Sequence, residues 1–206
     1  MFRDRVEAGR LLAEALSEYR DDETVVVLGV PRGGVIVAAE VARALERPLD
    51  IVVASKLGAP GNPEYAVGAI DEDGAIITSQ SVSVSTEYLE AAALERRAEI
   101  IRRVAVYRAG RPSVDVTGCT AIVVDDGIAT GLTVQAVVGF LRRHGAAQIV
   151  VCAPVMPPGT KAELERIADD VVALETPRAF SAVGQFYADF TQTSDAEVIT
   201  ALRRAR

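Results

Sequence analysis

Asp125 and Asp126 stand side by side at the end of the apolar run 121–124, and Gly127, Ile128, Ala129, Thr130, Gly131, Leu132 and Thr133 follow them. Adjacent carboxylates repel one another and small residues bury little, so core packing does not explain the stretch AIVVDDGIATGLTVQAVV. A ligand does. A loop entering a helix offers unpaired N–H groups and about half a positive charge, which suits a phosphate. Gly127 and Gly131 permit close backbone approach, and Thr130 and Thr133 add hydroxyls. Carboxylates beside a phosphate are repulsive unless they face sugar hydroxyls or a metal ion, and a ribose between the acids and the loop satisfies both demands. A plain strand-to-helix turn capped by Thr or Asp uses the same residue types.

The elements around that stretch can be read from apolar periodicity. Residues 24–30 (TVVVLGV) read as a buried strand, 33–46 as a helix stopped by Pro48, and 49–55 (LDIVVAS) as a second strand. Strands follow at 120–124, 148–153 and 171–174, alternating with helices at 133–143 and 160–168, and a last helix lies near 196–206. The apolar runs do not alternate cleanly, as expected where helices cover both faces of a parallel sheet. The fold class is therefore α/β, an open, mostly parallel sheet of about five strands, and such sheets bind ligands at the carboxyl ends of their strands. Residues 56–70 (KLGAPGNPEYAVGAI) are rich in Gly and Pro and read as a loop covering the site, with DEDG (71–74) turning between two short extended pieces. The segment 86–107 places Leu89, Ala93, Ile100, Val104 and Tyr107 on one helical face, with its charges on a solvated remainder.

Composition narrows the function classes. The 206 residues carry 29 acidic against 22 basic side chains, a net charge of −7, which argues against a broad nucleic-acid footprint. With 50% hydrophobic residues there is material for one large core, read as a single domain: helix 1–20, core 24–175, and tail 176–206 as a small hood. The N-terminal segment is charged throughout, with Val6, Leu12, Leu16 and Tyr19 at near-helical spacing, unlike a signal peptide. No segment reaches the ~18 uninterrupted apolar residues of a membrane span. Cys119 and Cys152 lie in or beside strand-like runs and read as buried thiols, which fits a reducing cytoplasm.

No G-x-x-x-x-G-K-[ST] loop occurs, and no G-x-G-x-x-G follows the first strand. The acidic pair with its ATG loop resembles the phosphoribosyl diphosphate (PRPP) motif of type I phosphoribosyltransferases, and the chain is similar to a small stand-alone bacterial group of that family. The resemblance implies transfer of the 5-phosphoribosyl group from PRPP to a nitrogenous base, with Mg²⁺ as the metal. On it, 125–133 hold ribose and 5-phosphate, and Asp125 and Asp126 also meet the metal, directly or through water. The loop after the first strand (Pro31, Arg32, Gly33, Gly34) takes the diphosphate. Segment 55–70 becomes the mobile catalytic loop, with Lys56 toward diphosphate and Glu64 as an acid or base, and Asp126 joins them in the catalytic set. Phe186 and Tyr187, with Phe180 and Phe190, form an aromatic cluster suited to stacking on the acceptor base. Two positions depart from relatives: Ser55 replaces a basic residue, and Ala129 stands where the hypoxanthine and guanine enzymes carry an aspartate base. The resemblance leaves the acceptor open, allows a homodimer, and keeps an alternative: a non-catalytic regulatory protein that senses PRPP through the same pocket.

Overall fold

A computed structural model describes residues 1–79 and 84–204, and at 63 and 64 the backbone alone. Helix α1 (Arg5–Ala15) starts where the Asp4 carboxylate accepts from the Glu7 N–H at 2.8 Å, an N-cap. It buries Leu12, with Leu16 beyond its end, against α2 (Gly33–Leu45). The chain then runs through β1 (Val25–Gly29), β2 (Leu49–Ile51), β3 (Ala54–Ala59), β4 (Asn62–Asp71) and β5 (Ile76–Thr78). After α3 (Thr86–Arg108) come β6 (Thr120–Val124), α4 (Leu132–Arg143), β7 (Gln148–Val155), α5 (Pro158–Leu164), β8 (Asp170–Glu175) and α6 (Asp195–Arg204).

The main sheet has five parallel strands in the order β2-β1-β6-β7-β8. Alternate residues of β1 explain its layers: Val25 and Val27 pack with α1 and α2 on one face, while Val26 and Leu28 join α4 on the other. β1 and β6 are direct neighbours with Gly29 beside Val124, so the loops that leave their carboxyl ends emerge together. That adjacency brings the PRGG and DDG segments to one edge.

Residues 56–70 differ from the loop expected of them. They belong to a second, antiparallel sheet in the order β3-β4-β5. Pro60 and Gly61 make only the tip, between paired Ala59 and Asn62, with Gly61 at φ +74°. Pro at the second position and Gly at the third of a tight turn fit this tip, and the apolar residues on either side are free to pair. The expected turn at 71–74 is present, closed by the Asp71 carboxylate, which accepts from the Asp73 and Ala75 N–H groups. The strand read across 49–55 is likewise split, since Leu49–Ile51 extends the main sheet and Ala54 begins the second.

Helix α3 buries Leu89, Ala93, Ile100 and Tyr107 against the second sheet and α6. At its end Arg108 is buried too, its Nε 3.2 Å from Asp50 and its Nη1 2.8 Å from Glu72. The tail returns to the N-terminus: the Phe2 N–H donates to the Phe186 carbonyl at 2.7 Å, and Phe2 packs on Tyr187. Among the described residues no helix is long and apolar enough to cross a membrane.

Candidate active site

β6 delivers the acidic pair to the sheet edge, and three contacts fix the loop between it and α4. The Asp125 N–H donates to the Cys152 carbonyl at 3.2 Å, the Ile128 N–H to Val155 at 3.0 Å, and the Thr160 hydroxyl to the Ala129 carbonyl at 2.6 Å. Ile128 faces inward, 3% exposed, and anchors the loop to the core, whereas Ala129 and Thr130 are exposed. Gly131 takes the left-handed conformation at φ +75° and leads into α4, whose first turn receives no side-chain cap. An uncapped helix start has donors to offer an anion. A cavity of about 640 Å³ opens beside it, lined by Ala129, Thr130 and Leu132, by Tyr65 and Thr78 of the hood-like second sheet, and by Thr160. Thr133 is half-buried in the first turn of α4.

The two loops touch. A Cβ at Gly33 would lie 1.9 Å from Asp126 Oδ2, and one at Gly34 would lie 2.8 Å from both Asp125 Cα and the Val124 carbonyl oxygen. Only residues without side chains allow this approach, so the paired glycines pack directly on the paired aspartates. Pro31 and Arg32 join through a cis peptide bond just before the glycines. Arg32 leans away toward Asp195, 3.9 Å distant at the start of α6.

Asp126 is held on two sides. Its Oδ2 accepts from Arg5 Nε at 2.7 Å in an ion pair whose side chains are 12% and 15% exposed. Its carbonyl accepts from the Tyr187 hydroxyl at 2.6 Å. Arg5 in turn donates to the Thr191 carbonyl and lies 4.0 Å over the Phe190 ring. Asp125 is in a different condition: burial, and then the neighbouring Asp126 carboxylate, push its carboxyl well above the usual range, while the Asp126 N–H bond to its Oδ1 works the other way.

Residues 4–191 match the family model described as the phosphoribosyl transferase domain. The chain belongs to this family. The phosphoribosyl transferase chain shares 42% identity with TT1426 from Thermus thermophilus, whose crystal structure superposes with a TM-score of 0.83 over 98% of each chain. A Mycobacterium tuberculosis protein named "Putative phosphoribosyl transferase Rv0571c" is 48% identical over 210 residues, covering all of this chain. The chain spans about half of that relative, 47% of its length. A hypoxanthine phosphoribosyltransferase from Staphylococcus aureus, 13% identical with a TM-score of 0.50 over 86% of this chain and 75% of its own, shares the fold.

Other residues singled out from the sequence fall in different places. Lys56 lies on β3 opposite Ala69 of β4, half-buried and outside the lining of the 640 Å³ cavity. Glu64 is in β4, and its side chain lies outside the described residues. Tyr187, read as a surface for an acceptor base, is instead 5% exposed and packed between Phe2 and Phe190. Its ring is enclosed, and only its hydroxyl reaches the acidic pair, on the Asp126 carbonyl. Phe186 remains half-buried against Phe180, with ring centroids 5.3 Å apart. Arg5 has no signal in the sequence, since it belongs to no motif and its partner lies 121 positions away.

Among the described residues no group of three or more His, Cys, Asp or Glu side chains is placed to hold a metal ion. The acidic pair nonetheless suits Mg²⁺, which commonly takes one or two carboxylates and draws its other ligands from phosphate oxygens and water. A cation there would also favour the charged form of Asp125, which burial and then the Asp126 carboxylate disfavour.

Proposed function

We propose that this chain transfers the 5-phosphoribosyl group of PRPP to a nitrogen of a base and releases diphosphate. The observation that carries this reading is the contact of Gly33 and Gly34 with Asp126 and Asp125, which sets the loop we assign to diphosphate directly against the loop we assign to ribose and 5-phosphate. Residues 127–133 clamp the 5-phosphate through loop amides and the start of α4. Binding energy from that remote group then orients the anomeric carbon, where bond breaking develops oxocarbenium character. Asp125 and Asp126 hold the ribose hydroxyls, and Arg5 and Tyr187 fix the direction in which Asp126 points. Gly33 and Gly34 turn backbone donors toward the leaving diphosphate as its charge grows, with Arg32 and Lys56 adding positive charge when the substrate is in place. Mg²⁺, held by Asp125 and Asp126, supplies further neutralisation of the diphosphate when bound.

Ala129 gives the loop no carboxylate, so the acceptor must bring its own nucleophilic nitrogen or use a base elsewhere, for which Glu64 is our candidate. The free thiols of Cys119 and Cys152 and the excess of acidic residues favour a reducing, cytoplasmic setting without nucleic-acid partners. Mass spectrometry after incubation with Mg·PRPP and a mixed pool of purines, pyrimidines and pyridines tests the transfer. A nucleotide product with stoichiometric diphosphate is expected. Tight binding of PRPP with no product from any base would refute transfer and leave the sensing role.

A further inference from the structure

Helix α3 has a second apolar face. Residues 91, 94, 98, 101 and 105 are Ala, Leu, Ala, Ile and Ala, spaced by alternating threes and fours. All are exposed, Leu94 by 73% and Ile101 by 60%. They point away from the face that buries Leu89, Ala93, Ile100 and Tyr107. A spacing of three and four is the seam of a two-stranded helical pair. Charges border it: Glu90 and Arg97 along one edge, Glu95 and Arg102 along the other.

We propose that this stripe docks on the same stripe of a second copy of the chain, with the two α3 helices antiparallel about a two-fold axis near residue 96. Size and charge both select that register. Leu94 meets the partner's Ala98 and Ile101 meets the partner's Ala91, so each large side chain fills the space left by a small one. In the same register Glu90 faces the partner's Arg97 and Glu95 faces the partner's Arg102. A parallel pairing sets Leu94 on Leu94 and leaves alanine against alanine. It also brings Glu90 to Glu95 and Arg97 to Arg102 across the seam, two repulsions in place of two attractions. The interface is isologous, as a two-fold dimer requires. Arg102 already bonds Glu99 at 2.7 Å and Asp195 at 3.1 Å, so Glu90 and Arg97 are the better probe of the edge charges.

Sedimentation velocity of the chain over a range of concentrations tests the proposal. A reversible dimer is expected, and Leu94→Glu/Ile101→Glu makes it monomeric with an unchanged circular dichroism spectrum, because both side chains are on the surface. Glu90→Arg weakens the dimer tenfold or more, and Glu90→Arg/Arg97→Glu restores it. Under mild oxidation Ala91→Cys/Ile101→Cys cross-links two chains above the background of the native thiols, and neither substitution alone does. A chain monomeric at every concentration, a dimer indifferent to Leu94→Glu/Ile101→Glu, or cross-linking by Ala91→Cys alone would overturn the proposal.

Discussion

Replacing Gly33 by alanine tests the junction of the two loops. The added carbon would sit 1.9 Å from Asp126 Oδ2 and 2.7 Å from Arg5 Nε, whereas ordinary contact begins at 3.4 Å. The carboxylate must therefore retreat by about 1.5 Å, or the backbone must yield, and the 2.7 Å bond to Arg5 cannot survive the first course. Overpacking of this kind costs about 1–3 kcal/mol. At about 2–4 °C per kcal/mol for a chain of this length, Tm falls by about 2–12 °C. If Asp126 orients the ribose, the lost charge-assisted hydrogen bond weakens Mg·PRPP binding by roughly 10–100-fold, equivalent to about 1.5–3 kcal/mol. Differential scanning calorimetry reads the first effect and isothermal titration the second. An alanine variant that melts with the parent and binds Mg·PRPP equally well would refute the claim that Gly33 packs directly on an Asp126 that orients the ribose.

Arg5→Gln removes one partner of a nearly buried ion pair and leaves Asp126 under-compensated, so we expect a stability loss of up to about 3 kcal/mol in urea denaturation. Arg108→Met strands Asp50 and Glu72 without their shared cation, and a loss of about 3–5 kcal/mol is expected in the same assay. Burial, reinforced by Asp170 at Tyr19 and by Asp195 at Tyr107, pushes both phenols up to about 12. Their unfolded counterparts ionise near pH 10. This contribution to stability is therefore whole below pH 10 and declines as the pH climbs to 12. The loss should be smaller in Tyr19→Phe/Tyr107→Phe, as alkaline unfolding curves will reveal.

Strand β6 and the loop after it were legible because an apolar run, two acids and small residues form a local signal whose meaning does not depend on distant contacts. The alternation of strands and helices places the PRGG loop on the same sheet edge, but its pairing with the acidic loop comes from the family resemblance, because the strand order that makes β1 and β6 neighbours is not written in the alternation. The hairpin at 54–71 was hidden because Gly and Pro signal a loop along the whole stretch. They make the tip at 60–61, while Leu57, Val67 and Ile70 are buried in the core. Tyr187 shows a different limit: an aromatic cluster near the end of a chain serves a ligand or the core equally well in sequence, and Phe2, far away in the chain, decides the matter by covering the ring. Arg5 and Arg108 were beyond reach for the same reason, since surface and buried arginines look alike until their carboxylates are placed beside them.

The most direct measurement is calorimetric titration of the parent chain and of Asp126→Asn with Mg·PRPP. Asparagine keeps an acceptor for Arg5 but loses the charge, so the account requires saturable binding to the parent and at least tenfold weaker binding to the variant, which should remain folded. Equal affinity in the two proteins, or no binding to either, would contradict the assignment of the acidic pair to the ribose.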